Sequence, residues 1–124
     1  MIPVLQRIVG TLLVSHGEEI VSREKGNQDV IHIYNVGGWW VAFECSAYLL
    51  SRLHMGCYPS VLRMPEPAER PPLIMDGLSE DDVERLIRLN VTLHDETNYK
   101  AFASGRCNAA LYARWKNRYL AMSR

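Results

Sequence analysis

Apolar residues recur at helical spacing from the start of the chain: Val4, Leu5, Ile8, Val9, Leu12 and Leu13 fall at three- and four-residue intervals. Pro3 suits the first turn of such a helix, where its missing N–H removes no bond. Ile20 and Val21 carry the stripe towards Arg23, while Ser15 and Gly17 weaken its middle, so the pattern predicts one helix over about 3–23 or a broken one. Lys25-Gly26-Asn27 is a stop and turn signal. Val30 to Tyr34 is almost wholly apolar and predicts a central strand, with Ile31 and Ile33 on one face and His32 and Tyr34 on the other. Asn35-Val36-Gly37-Gly38 reads as a tight connection, because paired glycines accept positive φ. Trp39 to about Ala42 is then the returning strand, with Trp39 and Val41 on one face and Trp40 on the other.

At Phe43 the period changes. Phe43, Ala47, Leu50 and His54, widened by Leu49 and Leu53, predict a helix that Gly56 stops. Tyr58 to Met64 and Leu73 to Met75 are short strand candidates, the second ending at Asp76-Gly77, and residues 65–72 between them hold four of the six prolines and read as a loop. Ser79 opens Ser-Glu-Asp-Asp, a helix N-cap followed by acids that favour the positive helix end. Val83, Leu86, Ile87 and Leu89 continue that helix, and Val91 to His94 is another strand candidate. From about Arg106 to Met122 a closing helix carries Leu111, Trp115, Tyr119 and Met122 on one stripe. The order helix, strand, strand, helix, strand, strand, helix, strand, helix predicts an α/β fold: a single domain over 1–124, with a small mixed β-sheet flanked by helices at about 3–23 and 106–122.

Composition narrows the function classes. With 124 residues, 48% of them apolar, the chain has material for one buried core, which excludes global disorder. Its 14 basic and 14 acidic residues cancel, which excludes a basic protein that holds nucleic acid by overall charge. No run of ~18 apolar residues exists to span a membrane, and the apolar stretch from Met1 to Leu13 lacks the basic flank and cleavage site of a secretory leader. Three dispersed cysteines, Cys45, Cys57 and Cys107, fit a reduced, cytoplasmic protein. His54 and Cys57 are three apart, but no further pair stands at zinc-ligand spacing, so no metal or cofactor is expected. Neither G-x-S-x-G, H-E-x-x-H nor G-x-x-x-x-G-K-[ST] occurs. Cys45 falls in the first turn of a predicted helix, where the dipole favours a thiolate, and His32 on the neighbouring strand is its nearest candidate base. A buried thiol and a sheet histidine are the simpler reading, and a non-catalytic protein is expected.

Charge is unevenly placed. Between Asp76 and Glu96 seven acids face only Arg85 and Arg88, whereas from Thr97 onward there are six bases and no acid. The basic closing helix, with Arg114, Lys116 and Arg118 among Tyr112, Trp115 and Tyr119, has the make-up of a surface that tracks a phosphate backbone. The alternative is a helix packed by its aromatics, its bases paired with the acidic segment or facing water.

The stretch 30–53, VIHIYNVGGWWVAFECSAYLLSRL, resembles the N-terminal mismatch-recognition domain of the MutS DNA-repair family. That family has an apolar strand, then Gly-Asp-Phe-Tyr-Glu, a later aromatic, and Asp-Ala opening a helix. Gly37 matches the glycine, Gly38 takes the Asp position, Trp39 falls on the Phe, Trp40 on the Tyr, Phe43 on the later aromatic and Ser46-Ala47 on Asp-Ala. Ile74-Met75-Asp76-Gly77-Leu78 before a helix is a second match, and the resemblance covers about 30–94. It implies a MutS-like α/β fold and an aromatic wedge, Trp39, that stacks on an unpaired base. Val41 stands where the family has the base-contacting Glu, and Val cannot hydrogen-bond a base. The resemblance thus implies a stand-alone DNA- or RNA-binding module using Trp39 and Trp40, and the basic closing helix, which lies outside the resemblance, adds Arg114, Lys116 and Arg118 to the expected surface. The alternative is a protein-interaction or self-assembling module, a homodimer for instance, whose interface is the amphipathic first helix and the aromatic last one.

Overall fold

The computed structural model describes residues 3–56, 59–63 and 71–122, with side chains from Arg7 onward. The elements in order are α1 (Pro3–Glu24), β1 (Val30–Val36), β2 (Trp39–Phe43), α2 (Glu44–Arg52), β3 (Ser60–Leu62), β4 (Leu73–Leu78), α3 (Glu80–Leu89), β5 (Thr92–Asp95), β6 (Tyr99–Ala103) and α4 (Ala109–Met122). Cys57 and most of the proline-rich stretch expected as a loop lie outside the described residues.

The six strands form one sheet in the order β3-β4-β2-β1-β6-β5. The α/β architecture is as expected, but every pairing is antiparallel rather than mixed. The physical reason is β6, which the sequence pattern did not give. Its Tyr-Lys-Ala-Phe-Ala alternates weakly, yet all of it pairs with β1, from Val30↔Ala103 to Tyr34↔Tyr99. Gly37 and Gly38 have φ of 58° and 89°, the left-handed pair that a two-residue hairpin with Val36 opposite Trp39 requires. Asn35 Oδ1 closes that turn by accepting from Gly38 N–H at 3.1 Å. Gly77 does not end β4 as expected, for the strand runs on to Leu78 and pairs Gly77 with Val41.

The strand alternation sorts the core into two layers. Ile31, Ile33, Ala42, Ile74, Leu78 and Phe102 face α2, α3 and α4. Tyr34, Val36, Val41, Phe43, Leu73 and Met75 face α1. Helix α1 is unbroken: Val9, Leu13, Gly17 and Ile20 are all buried, so Gly17 sits on the stripe that lies against the sheet. On α4 the buried stripe is rotated from the expected one. Trp115 is buried and packs edge-on against Tyr48 and Tyr119, while Leu111 and Met122 are exposed.

Helix α3 starts as the sequence reading requires. Ser79 Oγ accepts from Asp82 N–H at 3.1 Å, and the Asp82 carboxylate accepts from Ser79 N–H, a capping box. Asp82 also accepts from Gly56 N–H and so ties the end of α2 to α3. Ser79→Ala is expected to cost about 1 kcal/mol, read as a lower urea midpoint at unchanged slope.

Candidate functional site

The structure separates the residues the sequence grouped as a nucleic-acid surface. Trp39 is 44% exposed and lies beside the hairpin tip, on the sheet face that α1 covers. Trp40 turns to the other face, where it packs against the core and the Lys100 ammonium sits 5.4 Å from its ring centroid. Arg114 and Arg118 are exposed on α4, also on that second face. Lys116 is not available to a phosphate, because its ammonium is hydrogen-bonded to Glu44 Oε1. Trp39 and the arginines thus lie on opposite sides of the sheet.

The Lys116–Glu44 pair belongs to a buried polar junction. Where β2 hands over to α2 the chain must turn sharply, and Glu44 takes it in the left-handed region with φ of 51°, a conformation that costs a non-glycine residue about 1 kcal/mol or more. Its carboxylate is held on both oxygens: Oε1 by Lys116 and Oε2 by Ile74 N–H at 3.2 Å. Two residues on, the first turn of α2 presents Ser46 to Glu24, the last residue of α1. Glu24 accepts from Ser46 N–H at 2.9 Å, from Ser46 Oγ–H at 2.6 Å and from Asn27 Nδ2–H at 3.2 Å. Ser46 Oγ accepts in turn from the backbone N–H of His32 at 2.9 Å. Burial pushes the Glu24 carboxyl up to about 7, the nearby Glu44 adds to this, and the bonds from Ser46 and Asn27 oppose it. No buried side-chain N or O among the described residues lacks a partner. The junction therefore fastens α1, α2, β4 and α4 together.

Cys45 and His32 do not form a nucleophile–base pair. Cys45 packs in the layer under α2 and α4. Burial above all, then the adjacent Cys107 thiol, Glu24 and Glu44, pushes its thiol far above the ordinary range. His32 instead pairs its Nδ1 with the Tyr99 hydroxyl at 2.8 Å. Burial, with Arg23 adding to it, lowers His32 to about 4, so it is neutral at pH 7. Arg23 lies over the Tyr99 ring at 4.0 Å and Tyr34 flanks both. This cation–aromatic stack escaped the sequence reading because Tyr99 belongs to the unrecognised β6.

Two outward surfaces complete the picture. On α3, Glu80, Glu84 and Ile87 fall at spacings of four and three and share one exposed helix face, and Val91, in the extended turn that leads from α3 to β5, is exposed too. Leu89, on the other flank of α3, and Leu93 on β5 are also exposed, at 69% and 54%. Strand β5 closes the sheet, and its pairing with β6 slips between Thr92 and His94, placing Leu93 in a bulge. A bulged edge resists strand-on-strand addition, so this edge offers side chains rather than a backbone ladder. On α4, Leu111, Arg114, Arg118 and Met122 fall at spacings of three, four and four and are likewise all exposed. The sequence signal for both was the uneven charge between 76–96 and the rest; among the described residues Lys100 joins Asp95 of the acidic segment, whereas Lys116 goes to Glu44 outside it.

Among the described residues no group of three or more His, Cys, Asp or Glu side chains is placed to hold a metal ion, and no helix is long and apolar enough to cross a membrane. No family model, curated protein or solved structure matches the chain.

Proposed function

We propose that this chain is a self-associating interaction module, in which the outward stripe of α3 and the β5 edge of one copy docks on the outward stripe of α4 of a second copy. The observation that carries the reading is the complementarity of the two stripes. One is acidic and apolar, Glu80, Glu84 and Ile87 on α3 with Val91 at the start of the β5 edge; the other is apolar and basic, Leu111, Arg114, Arg118 and Met122. Exposed apolar side chains grouped on one surface are the usual mark of an interface. Because α3 and α4 cover the same face of the sheet, a two-fold axis can lay α3 of each copy on α4 of the other, a closed and self-complementary arrangement. Docking through two single helix stripes with charged flanks implies a small interface, so micromolar dissociation that weakens with salt is expected.

Sedimentation velocity over a concentration series tests this. The wild type is expected to pass from monomer to dimer, and Leu93→Lys with Val91→Lys to remain monomeric while its circular dichroism is unchanged. A wild type that stays monomeric at all concentrations contradicts the proposal.

A second reading is nucleic-acid binding. The half-exposed Trp39 ring keeps it in view, since an exposed indole can stack on a base. Fluorescence anisotropy with duplex, mismatched and single-stranded oligonucleotides at low salt tests it. Binding lost in Trp39→Ala supports this reading, and absence of binding at low salt removes it.

A further inference from the structure

We propose that Cys45 and Cys107 form an oxidisable dithiol, closed by a peroxide into an intramolecular disulfide that straps the start of α4 to the β2–α2 junction. The geometry rests on a shared anchor. The Cys45 thiol donates to the Asn27 carbonyl at 3.3 Å, and the backbone N–H of Cys107 donates to the carbonyl of the next residue, Gln28. Two cysteines distant in sequence are thereby held on consecutive carbonyls of the α1–β1 loop, and Cys107 packs against the buried cluster that contains Cys45. Both are free thiols. Both line a cleft of about 730 Å³ that is also bounded by the exposed Gly26, Gln28, Arg106 and Asn108, so a small oxidant reaches Cys107 from solvent.

The two sulfurs have unequal roles. Cys45 is 2% exposed and sits beside Glu24 and Glu44, which oppose its ionisation, whereas Cys107 is only partly buried and faces the cleft. Cys107 therefore reacts first. Its thiolate attacks hydrogen peroxide: an S–O bond forms, the O–O bond breaks, and the departing hydroxide takes a proton and leaves as water. The Cys45 sulfur then attacks the Cys107 sulfenic acid. The S–S bond forms, the S–O bond breaks, and the Cys45 proton leaves with the hydroxyl as a second water. Two thiols lose two electrons and two protons in all, and one peroxide becomes two waters. The strap is independent of self-association, because its residues lie on neither docking stripe.

The test is treatment of the whole chain with stoichiometric hydrogen peroxide, followed by thiol counting in denaturant and peptide mapping by mass spectrometry. The expected result is a loss of two of the three thiols, a linked pair of peptides containing Cys45 and Cys107, and reversal by dithiothreitol. Cys57→Ser should leave this pairing intact, and Cys107→Ser should abolish it. Three surviving thiols, a bond to Cys57 or between chains, or Cys107 accumulating as sulfinic acid without a partner would each overturn the proposal.

Discussion

Replacing Glu24 with Gln is expected to change the direction in which acid moves the folding stability. Two buried groups oppose each other in the wild type. Glu24 holds its proton more tightly folded than unfolded, with a folded value of about 7 against an ordinary 4.5. Its contribution is fully present below pH 4.5 and is lost as the pH rises through 7, an effect of about 3 kcal/mol over that window. His32 behaves in the opposite sense. Its folded value of about 4 lies below the ordinary 6.5, so the neutral ring favoured by the fold contributes above pH 6.5 and is lost as the pH falls towards 4. Discounted for the part of the ring that solvent screens, this is roughly 1–2 kcal/mol. The wild type should therefore gain stability as the pH falls from 8 to 5, by less than Glu24 alone would give because His32 offsets part of the gain below pH 6.5. Glu24→Gln retains the contacts without the titration, and its stability should fall steadily below pH 6.5. His32→Asn should instead gain stability throughout. Urea midpoints at half-unit pH intervals decide the matter: three parallel profiles would mean that neither group is coupled to folding.

Lys116→Met is expected to destabilise the fold by about 3 kcal/mol at pH 8. The lysine methylenes are replaced by a side chain of similar bulk, so packing around them is largely kept. What is lost is the cation that faces Glu44, a carboxylate whose residue is 8% exposed and which already stands near Glu24. Removing one partner of a buried pair leaves the other charge uncompensated, and that penalty exceeds the net worth of the pair. The double variant Glu44→Gln with Lys116→Met should recover most of the loss, since it removes both charges together. If the double variant is no better than Lys116→Met alone, the loss lies in packing and not in the orphaned carboxylate.

These two expectations rest on residues that differ in how far the sequence foretold them. Periodicity placed α1, β1, β2, α2, α3 and α4 within a few residues, because each buries a regular stripe against one side of the sheet. The Gly37-Gly38 hairpin and the Ser79 cap were legible for a sharper reason, namely that each needs a particular residue type at a particular backbone position. Strand β6 was not legible. Only Ala101 and Phe102 of its five residues are fully buried, and its stability comes from pairing along β1 rather than from its own pattern. Missing β6 also hid the Tyr99 stack with Arg23 and His32. The polar junction escaped for another reason: Glu24, Glu44, Ser46 and Lys116 come from three helices, and nothing in their spacing links them before the chain folds. The charge imbalance was visible, but which bases reach out to solvent and which turn inward was not. Lys116 pairs with an acid far from the acidic segment, and only then do Arg114 and Arg118 stand out with Leu111 and Met122 as an exposed stripe.

The docking of α3 on α4 between copies is tested most directly by a charge swap. One variant carries Glu80→Lys and Glu84→Lys, the other Arg114→Glu and Arg118→Glu, and each is followed alone and in equimolar mixture by sedimentation velocity. Each variant alone is expected to be monomeric, since both of its symmetry-related contacts set like charges together. The mixture is expected to form a heterodimer in which both contacts are again between opposite charges. Variants that dimerise alone as the wild type does, or a mixture that stays monomeric, would contradict the account.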